Sequence, residues 1–399
     1  MAAVLSPQAE LGRSIFFDAS LSASGRMSCA SCHSPGHAYG PPDGAAVRRG
    51  GPGLDRPGMR AVPSLRYVLN RTPVWSRPYA ANPAEREMER EPPAGGFGWD
   101  GRFNTLQQQA AFPLLDPDEM ANADAAAVAA KLSAAPYAAR FRQVFGEHVF
   151  TRPRQAFARA LDALARFELE DASFHPFSSR YDDYLDGRGT LTAQELRGLA
   201  LFEDPNGGNC AACHPDRRGA DGSHPLFTDY QFEALGVPRN PEIAANADPH
   251  WFDEGVCGPL RHDQTGAGNC GLFKTPGLRN AATRRVFFHN GRFHDLKEVL
   301  RFYARRDTNP RQWYPAATGA AGGQPGRGPP AGARAGAGAG EAAEQFDDLP
   351  PQHRGNVDTV DPPLNRTAGQ APVWSEADID AVAAFLATLT DRDARMANP

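Results

Sequence analysis

The sequence contains 399 residues, of which 41% are hydrophobic and 22% are charged, and its formal net charge is -5 at pH 7. This length exceeds that of one hydrophobic core and predicts two to three domains. No uninterrupted apolar run approaches the roughly 18 residues of a membrane-spanning helix, and no basic stripe marks a nucleic-acid surface. Because Gly (40) and Pro (36) are frequent, we expect a mainly α, loop-rich protein with short helices.

Capping and hydrophobic periodicity predict four helices in chain order. The first begins after Ser6 and has a proline in its first turn. The second carries an apolar face that consists of Phe157, Ala160, Leu161, Leu164 and Phe167. The third begins after Thr192, with Glu195 as its partner in a capping box, and the last begins after Ser375, with Asp378 in the same role. The buried side of the last helix is predicted to hold Ile379, Val382, Leu386 and Leu389.

The pattern Cys-x-x-Cys-His occurs twice, as Cys29, Cys32 and His33 and as Cys210, Cys213 and His214. It is the signature of covalent haem c attachment. Two thiols about one helical turn apart reach the two vinyl groups, and the next residue presents an imidazole to the iron. The alternative is a redox or zinc dithiol followed by a chance histidine, but two copies in similar contexts favour haem. The sequence therefore predicts two haem c groups.

The surroundings of the two motifs repeat as well. Glu10 precedes Phe17 by the same interval that separates Glu195 from Phe202, which indicates an internal duplication. We predict an N-terminal cytochrome c domain over residues 1–175 and a C-terminal cytochrome c domain over residues 185–399, each with one haem. An insertion at about 316–343 consists almost entirely of Ala, Gly, Pro and Arg. Such a segment buries too little apolar surface to offset its chain entropy, so we predict a disordered surface loop.

The haem motifs and the two remaining cysteines indicate the cellular compartment of the protein. Haem c is attached outside the cytoplasmic membrane, which predicts a periplasmic or extracellular protein, and we expect the periplasm. Residues 1–11 contain no basic start followed by an apolar signal core, so we expect that the export signal has been removed. Cys257 and Cys270 fit an oxidising compartment as a disulfide across a Gly-rich loop. Two free buried thiols are the alternative.

The second axial ligand of each iron separates electron carriage from catalysis. An electron-transfer haem usually takes Met or His, whereas a catalytic haem leaves the position open. The six methionines are at positions 1, 27, 59, 88, 120 and 396, so the second half has none outside its C-terminal tail. This disfavours a His/Met second haem. The remaining candidates for its ligand are His262, His289, His294 and Tyr303.

Motifs over nearly the whole chain carry a resemblance to one family. They run in the order Ile15-Phe16-Phe17-Asp18, first haem motif, Trp99-Asp100-Gly101-Arg102-Phe103, Gln109-Ala110, Pro113, Glu119-Met120, second haem motif, Phe273-Lys274-Thr275-Pro276 and Phe288-His289-Asn290-Gly291. In these features the sequence resembles the bacterial di-haem cytochrome c peroxidase and MauG family. The resemblance implies two cytochrome c-like haem domains that face each other across a calcium site.

The resemblance assigns roles around the first haem. His33 matches the proximal ligand of the peroxide-reactive haem, and Gln109, Pro113 and Glu119 match the residues that line its open face. Glu119 matches the acid-base group, since O–O cleavage requires a proton to move from the inner oxygen to the leaving one. Without the resemblance, Glu119 would be interpreted as a solvated carboxylate at the start of a helix.

The resemblance also assigns two aromatic residues and the second haem. Trp99 matches the tryptophan that lies between the haems and relays electrons. His214 matches the proximal ligand of the second haem, and Tyr303 matches its other axial ligand, which is Met in the peroxidases and Tyr in MauG. A phenolate stabilises oxidised iron better than a thioether does, so Tyr303 favours a MauG-like function.

One calcium ion is implied by the same resemblance. Asn70 matches the side-chain ligand of this ion. Arg284 and Val286 stand where Thr and Pro supply backbone carbonyl ligands in the family. Backbone ligation tolerates a change of side chain, so we expect calcium at this position.

The segment from Val286 to Pro310, together with the remaining cysteine pair, resembles the methanobactin-associated MbnH subgroup. Its members use peroxide to oxidise a tryptophan of a partner copper-binding protein to kynurenine. We therefore expect an oxidase that uses hydrogen peroxide to oxidise a protein side chain, with both irons sharing the oxidising equivalents and a periplasmic copper-binding protein as a candidate partner. The alternatives are a peroxidase that takes electrons from a small cytochrome or cupredoxin, and a non-catalytic electron carrier.

Overall fold

The structure is a computed structural model that describes residues 4–68, 71–76, 92–264, 267–314 and 344–397. Its α-helices are α1 (Pro7–Phe16), α2 (Cys29–Cys32), α3 (Leu106–Leu115), α4 (Ala125–Ala134), α5 (Ala138–Phe145), α6 (Pro153–Glu170), α7 (Arg180–Leu185), α8 (Ala193–Glu203), α9 (Cys210–Cys213), α10 (Leu296–Arg305), α11 (Glu376–Ala387) and α12 (Arg392–Ala397). Short 3₁₀ turns are Ala19–Leu21, Pro35–His37, Val149–Thr151, Ala172–Phe174, Ala244–Ala247, Ala267–Asn269, Ala281–Thr283, Pro310–Gln312 and Pro351–Asn356. The expectation of a mainly α, loop-rich protein is confirmed. The predicted insertion at about 316–343 lies outside the described residues.

Strands are confined to two short antiparallel pairs in the described part of the chain. Strand β1 (Arg49–Gly50) pairs with β2 (Arg56–Pro57), and β3 (Phe232–Glu233) pairs with β4 (Phe273–Lys274). Each strand has only two residues, so these pairs hold neighbouring loop segments together and do not form a layer of the fold. No helix in the described ranges combines the length and the apolar character that a membrane span requires.

The predicted helix starts are present. The Ser6 hydroxyl accepts a hydrogen bond from the Ala9 amide at 3.2 Å, and α1 follows directly. The capping boxes that start at Thr192 and Ser375 are both formed at the beginning of α8 and α11. The periodic apolar face predicted around Phe157 lies on α6 and is buried. Local capping chemistry and periodicity therefore suffice to place these helices.

Each half of the chain contains the same close crossing between its first and last long helices. In the first half α1 packs on α6, and an added Cβ at Gly12 would lie 1.9 Å from the Ala163 carbonyl oxygen. In the second half α8 packs on α11, and a Cβ at Gly198 would lie 2.0 Å from the Ala381 carbonyl oxygen. Only glycine permits these contacts. The duplication inferred from the haem motifs therefore extends to the helix packing.

Two main apolar clusters follow this division. One contains buried residues between Leu11 and Phe174, and the other contains buried residues between Tyr181 and Leu389. Buried ion pairs connect the halves, because Arg66 contacts Asp391 at 3.1 Å and Arg60 contacts Asp253 at 2.6 Å. The proposed domain limits at about 175 and 185 stay a prediction.

Candidate functional site

Both haem-binding motifs form one helical turn that ends at the histidine. None of the four motif cysteines is part of a disulfide, so Cys29, Cys32, Cys210 and Cys213 can all form thioether bonds. The Nδ1 atom of His33 lies 3.1 Å from the Tyr39 carbonyl oxygen, and that of His214 lies 2.8 Å from the Phe227 carbonyl oxygen. Burial lowers the pKa of both imidazoles to about 4, so both are neutral. An Nδ1 held by a carbonyl fixes the tautomer that presents Nε2 to a metal, and these residues therefore fit haem c.

A cavity of about 360 Å³ extends from the first motif toward the second half of the chain. The residues predicted for the first haem site all line it together: His33, Trp99, Gln109, Pro113 and Glu119. A volume of this size lies in the range of protein ligand sites. The structure thus brings together residues that are up to 86 positions apart in the sequence.

Helix α3 and the turn after it position the side chains opposite His33. Gln109 and Pro113 are one helical turn apart and share a face of α3. The helix ends before Asp116, and the following turn carries Glu119. Strand β1 packs directly on this turn, since a Cβ at Gly50 would lie 2.1 Å from the Asp118 carbonyl oxygen. This close approach of two backbones fixes the position of the Glu119 backbone, from which the carboxyl side chain extends.

The carboxyl of Glu119 is a poor acid in this position. Burial raises its pKa from 4.5 to about 7, the negative charge of Asp116 adds to the increase, and Arg102 opposes it. A carboxyl that titrates near neutral pH can both accept and donate a proton there. The structure therefore gives Glu119 the electrostatic property that an acid-base group requires.

Trp99 sits in a tight loop that is bonded to both halves of the chain. Its indole Nε1 donates to the Ala61 carbonyl oxygen at 2.8 Å, and its own carbonyl oxygen accepts from the Lys274 amide at 2.8 Å. The next residue, Asp100, is fully buried and pairs with Arg60 and Arg102, each at 2.7 Å. The indole is consequently held in one orientation at the junction of the halves.

Three consecutive residues near Trp99 each hold one side chain of the site. Ala61 accepts from the indole of Trp99 as described. The Val62 carbonyl oxygen accepts from Nη2 of Arg284 at 3.0 Å. The backbone of Pro63 lies near the imidazole of His33, whose pKa it raises. We call residues 61–63 the bridging segment.

Of the four candidates for the second axial ligand, the structure brings Tyr303 to the second haem motif. Burial raises the pKa of its phenol, and the nearby Cys210 and Cys213 add to the increase. The other candidates have different surroundings. His289 stacks on Phe273 at 3.5 Å, His294 lies 3.2 Å from Glu242, and His262 is exposed.

The position of Tyr303 corresponds to that of Pro113 in the first half. Each is the eighth residue of its helix, α3 or α10, and each helix follows a loop closed by a bridge between two phenylalanines. The loops are Phe97–Phe103 and Phe287–Phe293, and both contain a Gly-Arg-Phe sequence with the glycine at a φ of about +65°. The two corresponding helices therefore differ at this position. Helix α3 has a proline, whose side chain cannot bind a metal, near the first haem motif, and α10 has a phenol near the second.

The described residues of the predicted calcium site do not fit a divalent cation. The Nε atom of Arg284 donates to the Val286 carbonyl oxygen at 3.1 Å, so a guanidinium lies against the oxygen that was expected to bind calcium. The positive charge of this guanidinium repels a divalent cation on the same oxygen. The third expected ligand, Asn70, lies outside the described residues. We therefore derive no role for calcium.

Sequence reasoning missed one carboxyl in the first haem pocket. Glu168 on α6 lines a smaller cavity together with Cys29 and Glu119. It is 5% exposed, its Oε2 lacks a hydrogen-bond partner among the described residues, and burial raises its pKa to about 8. The sequence does contain a signal for this residue. Glu168 follows Leu164 by four residues, which places a charged side chain on the apolar face of the predicted helix.

The remaining cysteine pair, Cys257 and Cys270, forms the predicted disulfide. Glu254 and His353 lie near Cys270 in an arrangement that could hold a metal. Because the Cys270 sulfur is part of the disulfide, it is not a thiolate and cannot serve as a strong metal ligand. This cluster is therefore a structural feature of the loop.

Known proteins are similar to this chain in sequence. The family model described as di-haem cytochrome c peroxidase matches residues 6–190. The methylamine utilization protein MauG of Paracoccus denitrificans is 36% identical over 301 residues, which cover 74% of this chain and 73% of that protein. Cytochrome c551 peroxidase of Nitrosomonas europaea is 28% identical over 303 residues, which cover 75% and 74% of the two chains.

Solved structures agree with this assignment. The di-haem peroxidase BthA from Burkholderia thailandensis superimposes with a TM-score of 0.80 and 38% identity over 98% of this chain and 88% of that chain. A MauG-like protein associated with microbial copper homeostasis gives a TM-score of 0.63 at 23% identity over 98% and 91% of the two chains, a likeness that concerns the fold alone. The chain therefore belongs to the di-haem cytochrome c peroxidase and MauG family of peroxide-dependent oxidoreductases.

Proposed function

We propose that this protein uses hydrogen peroxide to oxidise a tryptophan side chain of a partner protein. The observation that carries the proposal is the correspondence between Pro113 and Tyr303 on duplicated helices. Pro113 offers no ligand atom at the first haem motif, which would leave room for peroxide there, whereas Tyr303 offers a phenol oxygen that, with His214, would hold the second haem. The two haems, when bound, supply the iron centres that pass electrons from the donor to peroxide.

Glu119 manages the protons of the peroxide reaction in this proposal. Its carboxylate accepts a proton from the attacking peroxide oxygen and returns it to the leaving oxygen, which departs as water. The pKa of about 7 keeps both forms available at neutral pH. Gln109 supplies an amide donor and acceptor on the same helix face, and Pro113 keeps that face free of a competing ligand.

Trp99 relays electrons between the two halves. Its loop is bonded to both halves, and the hydrogen bond to Ala61 fixes the indole at the junction. A folded partner protein is too large to enter the cavity, so its side chain has to be oxidised at a distance by removal of electrons. One peroxide accepts two electrons and becomes two waters. Insertion of one oxygen into the tryptophan consumes one peroxide and releases one water, and ring opening toward kynurenine consumes two.

We propose a periplasmic location and a periplasmic copper-binding protein as the partner. Covalent haem attachment and the disulfide between Cys257 and Cys270 both fit an oxidising compartment. The likeness in fold to a protein associated with copper homeostasis suggests the class of partner to test first.

The test is co-incubation of the holoprotein and peroxide with candidate copper-binding proteins, followed by mass spectrometry of the partner. The proposal expects a tryptophan that is heavier by one or two oxygens or converted to kynurenine. Trp99→Phe should lose most of this activity, whereas Trp251→Phe, which changes a half-buried tryptophan outside the cavity, should retain it. Unmodified partners together with rapid consumption of a reduced cytochrome would replace the proposal with a conventional peroxidase.

A further inference from the structure

Arg284 places a guanidinium between backbone groups of the two halves. Its Nη2 donates to the Val62 carbonyl oxygen at 3.0 Å, in the first half, and its Nε donates to the Val286 carbonyl oxygen at 3.1 Å, in the second half. Both partners are neutral oxygens. One planar cation thus fastens two segments that are distant in the sequence, as a metal ion held by carbonyl groups would do.

The surroundings make this contact part of the site. Arg284 lines the same cavity as His33 and Trp99. The residue before Val62, Ala61, accepts from the indole of Trp99 at 2.8 Å and donates its own amide to the His289 carbonyl oxygen at 2.7 Å. The guanidinium therefore stabilises the backbone that holds the inter-haem tryptophan.

We propose that the guanidinium of Arg284 is the permanent cation at this junction and that the chain binds no calcium there. Both ions are cations that attract carbonyl oxygens, but an arginine is covalently fixed and cannot dissociate. Burial lowers the pKa of the guanidinium only to about 10, so it remains charged at neutral pH. A divalent cation on the Val286 oxygen would have to displace this side chain against like-charge repulsion. The junction is therefore complete without a metal.

Metal analysis of the holoprotein is the direct test. The protein is purified in buffer with calcium, freed from unbound ions by gel filtration, and analysed for iron and calcium by mass spectrometry. The proposal expects two irons and less than about 0.1 calcium per chain, and no change of the haem spectrum on addition of EGTA. One tightly bound calcium, or a haem spectrum that EGTA alters, would overturn it.

A pair of adjacent variants tests the role of the guanidinium itself. Arg284→Ala removes the cation from the junction, and Arg285→Ala removes the same charge from an exposed neighbour. We expect Arg284→Ala to lower the thermal midpoint and to broaden the haem absorption bands, and Arg285→Ala to leave both unchanged. Equal behaviour of the two variants would show that the guanidinium does not hold the junction. If Arg284→Ala fails to fold, the metal content of the unmodified protein still decides the proposal.

Discussion

Glu119 should give the reaction with peroxide a steep and specific pH dependence. The raised pKa means that the carboxyl is largely protonated below pH 7 and ionised above it. If the carboxylate is the base that accepts the peroxide proton, the reaction should accelerate as the pH rises through about 7. Glu119→Gln can neither accept nor release this proton, so its reaction should be at least ~100-fold slower than the plateau of the unmodified protein and independent of pH.

The magnitude follows from the shift in pKa. With a pKa of about 7, about 1% of the carboxyl is ionised at pH 5 and about 90% at pH 8, so the rate should rise about 90-fold between them. With the ordinary value of 4.5, about three quarters would already be ionised at pH 5, and the increase would be only about 1.3-fold. The two cases differ enough to be separated by one experiment.

The assay is stopped-flow mixing of the diferric holoprotein with one equivalent of peroxide while the haem absorption is recorded. Haem content is measured for each variant to show that both groups are attached. Asp116→Asn removes the neighbouring negative charge that raises the Glu119 pKa, and the inflection should move to lower pH. Asp118→Asn is the matched control, because Asp118 contributes less to the same shift.

Two results would refute this reasoning. A flat profile between pH 5 and pH 8 in the unmodified protein would show that Glu119 does not titrate with the reaction. A normal rate in Glu119→Gln would reduce Glu119 to a structural residue of the turn after α3.

Three further variants test other parts of the structure. Tyr303→Phe should change the absorption and magnetic resonance spectra of the low-spin haem, and an unchanged low-spin signal would remove Tyr303 as a ligand. Gly198→Ala should destabilise the protein by about 1–3 kcal/mol in chemical unfolding, because its Cβ would meet the Ala381 carbonyl oxygen, whereas Gly355→Ala has open space and should be neutral. Glu168 has its pKa raised to about 8, so its burial destabilises the fold progressively from pH 4.5 to 8. Glu168→Gln should remove about 3–4 kcal/mol of this loss between pH 5 and pH 8, measured by chemical unfolding at both values, and an unchanged pH slope would contradict the raised pKa of Glu168.

Local chemistry made much of the fold and site predictable. The caps at Ser6, Thr192 and Ser375 depend on residues three positions apart, and the haem motifs are contiguous, so both can be read without knowledge of the tertiary structure. The grouping of Gln109, Pro113 and Glu119 could be predicted only through the family resemblance, since their cavity is built from distant segments.

Other features depend on contacts that the sequence does not display. Arg284 was expected to offer only its backbone, because nothing near it in the sequence shows that its side chain reaches the Val62 and Val286 carbonyls. The repeated Gly-Arg-Phe sequence points to the correspondence of Pro113 and Tyr303. Only the structure shows that the two residues occupy the same position in their helices. Asn70 lies outside the described residues, so its expected role stays untested.

The bridging segment, residues 61–63, connects the surroundings of His33, Trp99 and Arg284 through one short stretch of backbone. Neighbouring Cα atoms across a trans peptide are about 3.8 Å apart, so the side chains in contact with three consecutive residues cannot shift independently. A displacement of the His33 imidazole would change its contact with the Pro63 backbone, next to the residues that accept from Trp99 and Arg284. If Trp99 relays electrons as proposed, a stiff segment would keep atomic motion around the indole small during the transfer, and a small reorganisation favours fast transfer. The three peptide groups would then link the surroundings of His33 to those of Trp99 and Arg284.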